Sequence, residues 1–443
     1  MSDVDVAVRL AEKLEAAGAD SADVLISDAA ALSVSYRLGK LESTERAESR
    51  DVGLRAIIGQ SQAFISGSVR HEADYDTLIA RVIDMARAAP PDPFCGLAPV
   101  ETLATDWPEL DLCDDTEPDA EALTARASAT EAAALDCTGI TNSEGAEASW
   151  QRSTDTLLTS HGFSGSHTRS VFATGCAVIA GEGDAMERDY GAHAARHLAA
   201  LEDPETIGKR AATRSLARCG ARKIDSMQAA VVYDRRVSAS LIGHLAGALS
   251  GSAVARGTSF LRDSMGKPVF PENIRIIDDP TRTGGLGSTG FDGEGLAAKP
   301  LPLIAEGRIA NWLLDWAAAR QLGLESNGRA GRGAGAPPHP TTTNLYMEAG
   351  AQPAADLIAD IDDGLYVTEL IGFGVNGVTG DYSRGASGFR IEKGQCTHPV
   401  SEVTIAGNLK DMFARLTPAD DLQFRHRVNA PTLRIDAMTV AGH

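Results

Sequence analysis

The stretch LIGHLAGALSGSAVARGTSFL, residues 241–261, has the apolar periodicity of a buried helix that ends in a polar turn. We predict a helix over residues 237–255, and its interior glycines suit close packing. A zinc hydrolase helix needs two histidines on one face and a glutamate between them. Here the stretch contains a single histidine, His244. We therefore expect His244 to pack on a half-buried helix.

Patterns on both sides of this helix indicate the fold class. Apolar and polar residues alternate in residues 22–68 and 146–199, whereas helical periodicity predicts helices at 4–17, 75–88, 120–135 and 204–218. Beyond residue 300 we predict hairpins that turn at Glu306-Gly307 and at Lys393-Gly394. We expect an α+β fold of two domains. Residues 1–225 should place helices on a mixed or antiparallel sheet, and residues 226–443 should form a strand-rich domain with one buried helix.

Composition limits the classes of partner. The 443 residues carry a formal net charge of −20, which repels both phosphate backbones and anionic membrane surfaces. We expect no nucleic-acid or membrane partner. The N-terminal segment has no apolar stretch typical of a signal peptide, and no run is long enough to span a membrane. The six cysteines are scattered without a CxxC pair, which fits reduced thiols and a cytoplasmic location.

Four phrases in the C-terminal half carry a resemblance to a known family. They are ARGTSF at 255–260, TNLYME at 343–348, GLYVTELIGFGVNGVTGDYSRGASGF at 364–389 and EVTIAGNLKDMF at 402–413. In these phrases the chain resembles the TldD/PmbA family of metallopeptidases. The resemblance covers phrases rather than single residues, so it identifies the chain as a family member.

The resemblance also implies a role within the family. The catalytic TldD subunit carries a His-Glu-x-x-x-His helix and a cysteine ligand near its C-terminus. With residues 256–259 as the anchor, those three positions fall on Ile242, Gly243 and Gly247, and the last cysteine is Cys396. The chain thus resembles the PmbA type, also called TldE. We expect a non-catalytic subunit without a cofactor, which forms a heterodimer with a TldD-like partner that holds zinc and acts on unfolded peptides.

Candidate peptide-channel or interface residues lie in two segments. Residues 372–388 combine closely spaced glycines with Asn376, Asp381 and Arg384, so their amides could bind an extended peptide as an added strand. A structural loop that closes the C-terminal sheet is an equal alternative. The other candidates are His244, Arg256, Thr258 and Ser259. The Gly- and Pro-rich residues 281–295 and 328–340 are expected to be long loops over a cleft or at an interface.

Two alternative functions remain open. One is a stand-alone metallohydrolase with unconventional ligands among His193, His197 and His244, although we expect the first two to be surface histidines. The other is a peptide-binding homodimer without hydrolytic activity.

Two further patterns are interpreted as structural. No helix pattern follows Gly285-x-Gly287-x-x-Gly290, so we expect a plain loop rather than a dinucleotide site. The acidic pairs do not match the spacing of a calcium loop, and we expect turn formers and solvated faces. These pairs are Asp278-Asp279, Asp292-x-Glu294 and Asp360-x-Asp362-Asp363.

Overall fold

The computed structural model describes residues 2–69 and 72–442. The N-terminal domain is built on six strands: β1 (Ser21–Arg37), β2 (Lys40–Ile58), β3 (Ser61–Ser68), β4 (Ile140–Thr159), β5 (Ser164–Ala180) and β6 (Glu187–Ala195). They form one antiparallel sheet in the order β3-β2-β1-β4-β5-β6. Its helices are α1 (Asp3–Ala16), α2 (Glu72–Ala88), α3 (Ala120–Leu135) and α4 (Pro204–Ala217). Short 3-10 turns lie at Val100–Thr102, Gly183–Ala185 and Leu198–Ala200.

All four helices cover the same face of this sheet. Side chains alternate along a strand, so Val24, Ile26, Leu32 and Val34 of β1 share a face. The first two residues pack in a core with α1 and α2, and the last two pack in a core with α3 and α4. The opposite face presents Leu25 and is free to receive the second domain.

The C-terminal domain contains the remaining strands and five helices within the described chain. The strands are β7 (Met227–Tyr233), β8 (Ile276–Asp278), β9 (Leu301–Ala305), β10 (Arg308–Ile309), β11 (Ala330–Gly331), β12 (His339–Pro340), β13 (Leu345–Met347), β14 (Asp363–Ile371), β15 (Asp381–Glu392), β16 (Gln395–Asn408), β17 (Leu416–Pro418), β18 (Val428–Asn429) and β19 (Leu433–Ala441). The helices are α5 (Arg235–Ala248), α6 (Gly251–Ala255), α7 (Trp316–Leu322), α8 (Asp356–Ala359) and α9 (Leu409–Ala414).

The main C-terminal sheet closes on itself. Its strand order is β16-β15-β14-β7-β19-β17, and β16 also pairs with β19. The pairing of β16 with β19 joins five strands into a ring, which removes most of the free edge that an added strand would need. A smaller sheet has the order β10-β9-β8-β13-β18, and β11 pairs with β12. Helix α5 packs its apolar side into the core that these sheets share.

The structure confirms the α+β fold with two domains and refines one predicted helix. The helix expected over residues 237–255 is divided into α5 and α6, because the amide of Gly251 bonds to the carbonyl of Leu313 at 2.8 Å. A Cβ on Gly251 would lie 2.9 Å from the backbone carbonyl oxygen of Leu313, so glycine suits this close approach. The turns at Glu306-Gly307 and Lys393-Gly394 are confirmed, with positive φ at both residues of each turn.

The open face of the N-terminal sheet receives the two Gly-rich loops predicted at 281–295 and 328–340. Phe291 packs with Leu25 and Leu157, and a Cβ on Gly53 would lie 2.2 Å from the carbonyl oxygen of Ala334. These loops therefore lie at an interface, which is the contact between the two domains of the same chain. None of the helices in residues 2–69 and 72–442 is long and apolar enough to cross a membrane.

Candidate functional site

Helix α5 has one buried and one bare side. Asp234 caps its N-terminus by accepting a hydrogen bond from the amide of Arg236 at 2.9 Å. Ile242 is fully buried in the core, whereas Gly243 and Gly247 are exposed. No described atom lies within 4 Å of a Cβ built on either glycine. The outer side of α5 is therefore open backbone.

These positions do not fit a zinc ion. Ile242 offers hydrocarbon buried in the core, and Gly243 and Gly247 offer no side chain. Zinc requires nitrogen, sulfur or carboxylate ligands. Within the part of the chain that the structure describes, no group of three His, Cys, Asp or Glu side chains could hold a metal.

His244 lies between these positions and packs against the sheet. Its ring contacts Tyr382 edge to face, with 6.2 Å between the centroids. Its Nε2 atom is buried and has no hydrogen-bond partner among the described residues. Burial and the nearby Arg384 both lower the pKa of His244, so its imidazole is neutral near pH 7.

The turn between β14 and β15 projects into solvent beside α5. We call residues 371–380 the hairpin tip. The exposed fractions of Ile371, Phe373 and Val378 are 58%, 99% and 55%. Large apolar side chains this exposed on one short turn are typical of a surface that another molecule covers.

The hairpin tip is ordered by its own polar groups. The Asn376 side chain accepts from the amide of Val378 at 2.9 Å, and the backbone amide of Asn376 donates to the Asp381 carbonyl at 2.9 Å. Hydrogen bonds from Thr379 and Asn408 lower the pKa of Asp381. Several amides that could bind an extended peptide are thus already used within the loop.

The segment after α6 contacts the hairpin tip. The amide of Phe260 donates to the carbonyl of Gly377 at 2.9 Å. Ser259 is buried, and its hydroxyl donates to the Ala248 carbonyl at the end of α5. Thr258 bonds back to Ala253, and Arg256 is exposed. The fold thus brings the predicted candidates into two touching segments, with Ser259 holding the end of α5.

The histidines proposed as unconventional ligands do not meet. His193 lies in β6, where its Nδ1 accepts from the amide of Glu202 at 3.1 Å. His197 lies after β6, with its Nε2 3.0 Å from a carboxylate oxygen of Asp111. The pair does not share one helical face, and His244 lies in the other domain.

The acidic pairs are predicted to be turn formers and solvated faces; Asp292 does form a turn with the amides of Glu294 and Leu296, but the expected solvation is wrong for three of these residues. Asp278, Asp292 and Glu294 are buried, whereas residues 360, 362 and 363 are exposed. Asp278 forms a fully buried ion pair with Arg329. Burial raises the pKa of Asp292 to about 6, although three backbone amides donate to it. The sequence could not indicate this burial, because Arg329 and the Ala330 amide come from a later segment of the chain. The glycine motif at residues 285–290 is a loop, as expected, because no helix follows it and Phe291 forms an isolated β-bridge with Ala297.

Two concave regions at the domain contact were missed by sequence reasoning. One is a cavity of about 300 Å³ beneath the Gly-rich loops, where burial and Arg169 lower the pKa of His167 to about 4. The other is an arginine-lined pocket at the start of α5. One signal for the second was available, because Arg235-Arg236 opens a helix at the end that disfavours cations.

Comparison with known proteins places the chain in a family. It matches three models of the PmbA/TldA metallopeptidase: domain 1 at residues 22–89, the central domain at 113–218 and the C-terminal domain at 226–442. It is 35% identical over 442 residues to the metalloprotease PmbA of Escherichia coli O157:H7, covering 99% of this chain and 96% of the relative. A PmbA homologue of Haemophilus influenzae is 34% identical, with 99% and 95% covered.

Solved structures share the fold. A putative modulator of DNA gyrase from Bacteroides thetaiotaomicron superposes with a TM-score of 0.91 at 24% identity, covering 99% of this chain and 98% of that one. TldE from Thermococcus kodakarensis superposes with a TM-score of 0.87 at 19% identity, with both chains fully covered. From its sequence identity over nearly the full length, the chain belongs to the TldD/PmbA metallopeptidase family and to its PmbA type.

Proposed function

We propose that this chain is the non-catalytic subunit of a heterodimeric zinc metallopeptidase that cleaves unfolded peptides. A TldD-like partner holds the zinc and the catalytic glutamate. The observation that carries the proposal is the state of α5, which has a buried Ile242 and two bare glycines where the family's catalytic helix carries His, Glu and His.

The two glycines support a role that involves another molecule. Glycine inside a helix costs roughly 0.5–1 kcal/mol relative to alanine. Within the described chain, nothing near Gly243 or Gly247 requires the absence of a side chain. The absence of a side chain at these two positions is therefore explained by the close approach of another molecule, either the partner subunit or its peptide.

The hairpin tip supports the same surface. Phe373 is 99% exposed, and the tip touches the segment that follows α6. Aromatic residues are enriched at protein interfaces, where they supply much of the binding energy. We assign the hairpin tip and the bare side of α5 to contact with the TldD-like partner. The ring closure of the C-terminal sheet leaves less room for peptide added as a strand there, so peptide binding would use the space between the subunits.

The test is co-expression with a TldD-like subunit. We expect a stable pair by size-exclusion chromatography with light scattering, with zinc and cleavage of an unstructured peptide present in the pair and absent from this chain alone. Full activity of the TldD-like subunit without this chain would refute the supporting role. Zinc-dependent cleavage by this chain alone would favour the stand-alone hydrolase, and peptide binding by a homodimer without cleavage would favour the third function.

A further inference from the structure

A pocket of about 150 Å³ lies between the domains at the start of α5. Five arginines line it, together with His426, and no aspartate or glutamate is among its described lining residues. The arginines come from α4, from the first turn of α5 and from the segment before β18: Arg210, Arg214, Arg235, Arg236 and Arg425. This concentration of positive charge stands out in a chain with a net charge of −20.

The surrounding acids do not balance these arginines. Glu202 is shared between Arg210 and Arg425, and this pairing lowers the pKa of Glu202 to about 2 despite its partial burial. Asp189 binds Arg236 through both oxygens, at 2.7 and 3.0 Å. The third nearby carboxylate is the helix cap Asp234. Among the described residues, three carboxylates therefore face the five arginines, which leaves two positive charges in excess.

Arg214 is held in the pocket by a neutral partner. It donates to the carbonyl oxygen of Tyr190 at 3.0 Å and forms no ion pair with any described residue. Burial lowers its pKa, and repulsion by Arg236 acts in the same direction. In addition, the Nη1 atom of Arg425 is buried without an acceptor among the described residues. Both groups retain donors that an anion in the pocket could satisfy.

The placement of Arg235 and Arg236 is unfavourable for α5 itself. The N-terminal end of a helix carries partial positive charge, so cations there are destabilising. The first turn of α5 contains these two arginines and no acidic residue. A bound anion would reverse this unfavourable interaction.

We propose that this pocket binds a phosphate dianion, either free or as the terminal phosphoryl group of a small metabolite. The guanidinium group matches phosphate oxygens through paired hydrogen bonds, and two excess charges suit a dianion better than a single carboxylate. A buried water needs only about 10–15 Å³, so the pocket has room for a tetrahedral anion. The site joins the two domains and is separate from the open side of α5.

The experiment measures binding of inorganic phosphate to the purified full chain by calorimetry and by the shift in Tm, at ionic strength matched with sodium chloride. O-phosphoserine in a parallel titration distinguishes a phosphoryl group from free phosphate, and acetate serves as the monoanionic control. We expect Tm to rise with phosphate and much less with acetate. No rise beyond that of sodium chloride for either phosphate compound would overturn the proposal.

Two variants and a matched control sharpen the result. Arg214→Gln and Arg235→Gln should each weaken phosphate binding about ten-fold or more, as loss of a charged hydrogen bond does. Arg81→Gln, an exposed arginine on α2, should leave binding unchanged. Without phosphate, Arg214→Gln should keep or raise Tm, because it relieves repulsion. Unchanged phosphate affinity in both pocket variants, provided that both fold normally, would refute the site.

Discussion

Replacement of Asp23 by alanine should lower the free energy of unfolding by about 3–5 kcal/mol, because it leaves buried arginines without their acid. Asp23 lies on β1 and faces the second domain. It bonds to Arg55 of the neighbouring strand at 3.3 Å and forms an ion pair with Arg332 from the loop of the C-terminal domain. The side chains of all three are at most 4% exposed.

The size of the expected loss of stability follows from the hydrogen-bond and ion-pair partners that each arginine keeps. Arg55 keeps hydrogen bonds to Gln62 and to the carbonyl of Gly96. Arg332 loses its only ion pair in the described chain, and its Nε atom already lacks a partner. The loss of Asp23 thus mainly destabilises the loop 328–340, which contacts the N-terminal domain through Arg332. The expected decrease is a large share of a typical free energy of unfolding of about 5–15 kcal/mol.

The assay is urea unfolding followed by tryptophan fluorescence. Asp84→Ala is the matched control, because Asp84 is 80% exposed in its pair with Arg87 and should change stability by less than about 0.5 kcal/mol. In the double variant Asp23→Leu with Arg332→Met, much of the loss should be recovered, since apolar replacement of a buried pair is often neutral. A loss below about 1 kcal/mol in Asp23→Ala would refute the reasoning.

Three other predictions concern α5, the hairpin tip and a buried acid. Gly243→Ala and Gly247→Ala should each stabilise the isolated chain by about 0.5–1 kcal/mol in urea titrations and weaken association with a TldD-like subunit; destabilised single chains would contradict this. Phe373→Ser should weaken that association roughly 10- to 100-fold in a pull-down titration while Tm stays constant, whereas the exposed Val100→Ser should have no effect. Burial and, to a smaller extent, repulsion by Asp292 raise the pKa of Glu294. The stability that the protonated side chain contributes is therefore lost as pH rises through that pKa. The Tm of Glu294→Gln should thus be higher than that of the native chain at alkaline pH, but not at acidic pH.

Local patterns in the sequence predicted most of the secondary structure. Alternation and helical periodicity depend on neighbouring residues, so the strands and helices of the N-terminal domain and the turn at Lys393-Gly394 could be read directly. The split between α5 and α6 could not, because it depends on the approach of Leu313 to Gly251 from a distant part of the chain.

The sequence by itself determined that the aligned positions 242, 243 and 247 of α5 carry no zinc ligand, since the fold cannot supply side chains that isoleucine and glycine lack. It also carried the family membership. Only the tertiary structure decided which charges are buried and which meet. Arg425 and Glu202 are 223 residues apart, yet they bond at 2.8 Å beside the pocket between the domains. Such contacts depend on long-range strand pairing and domain packing, whose energies are set by the whole chain rather than by any local pattern.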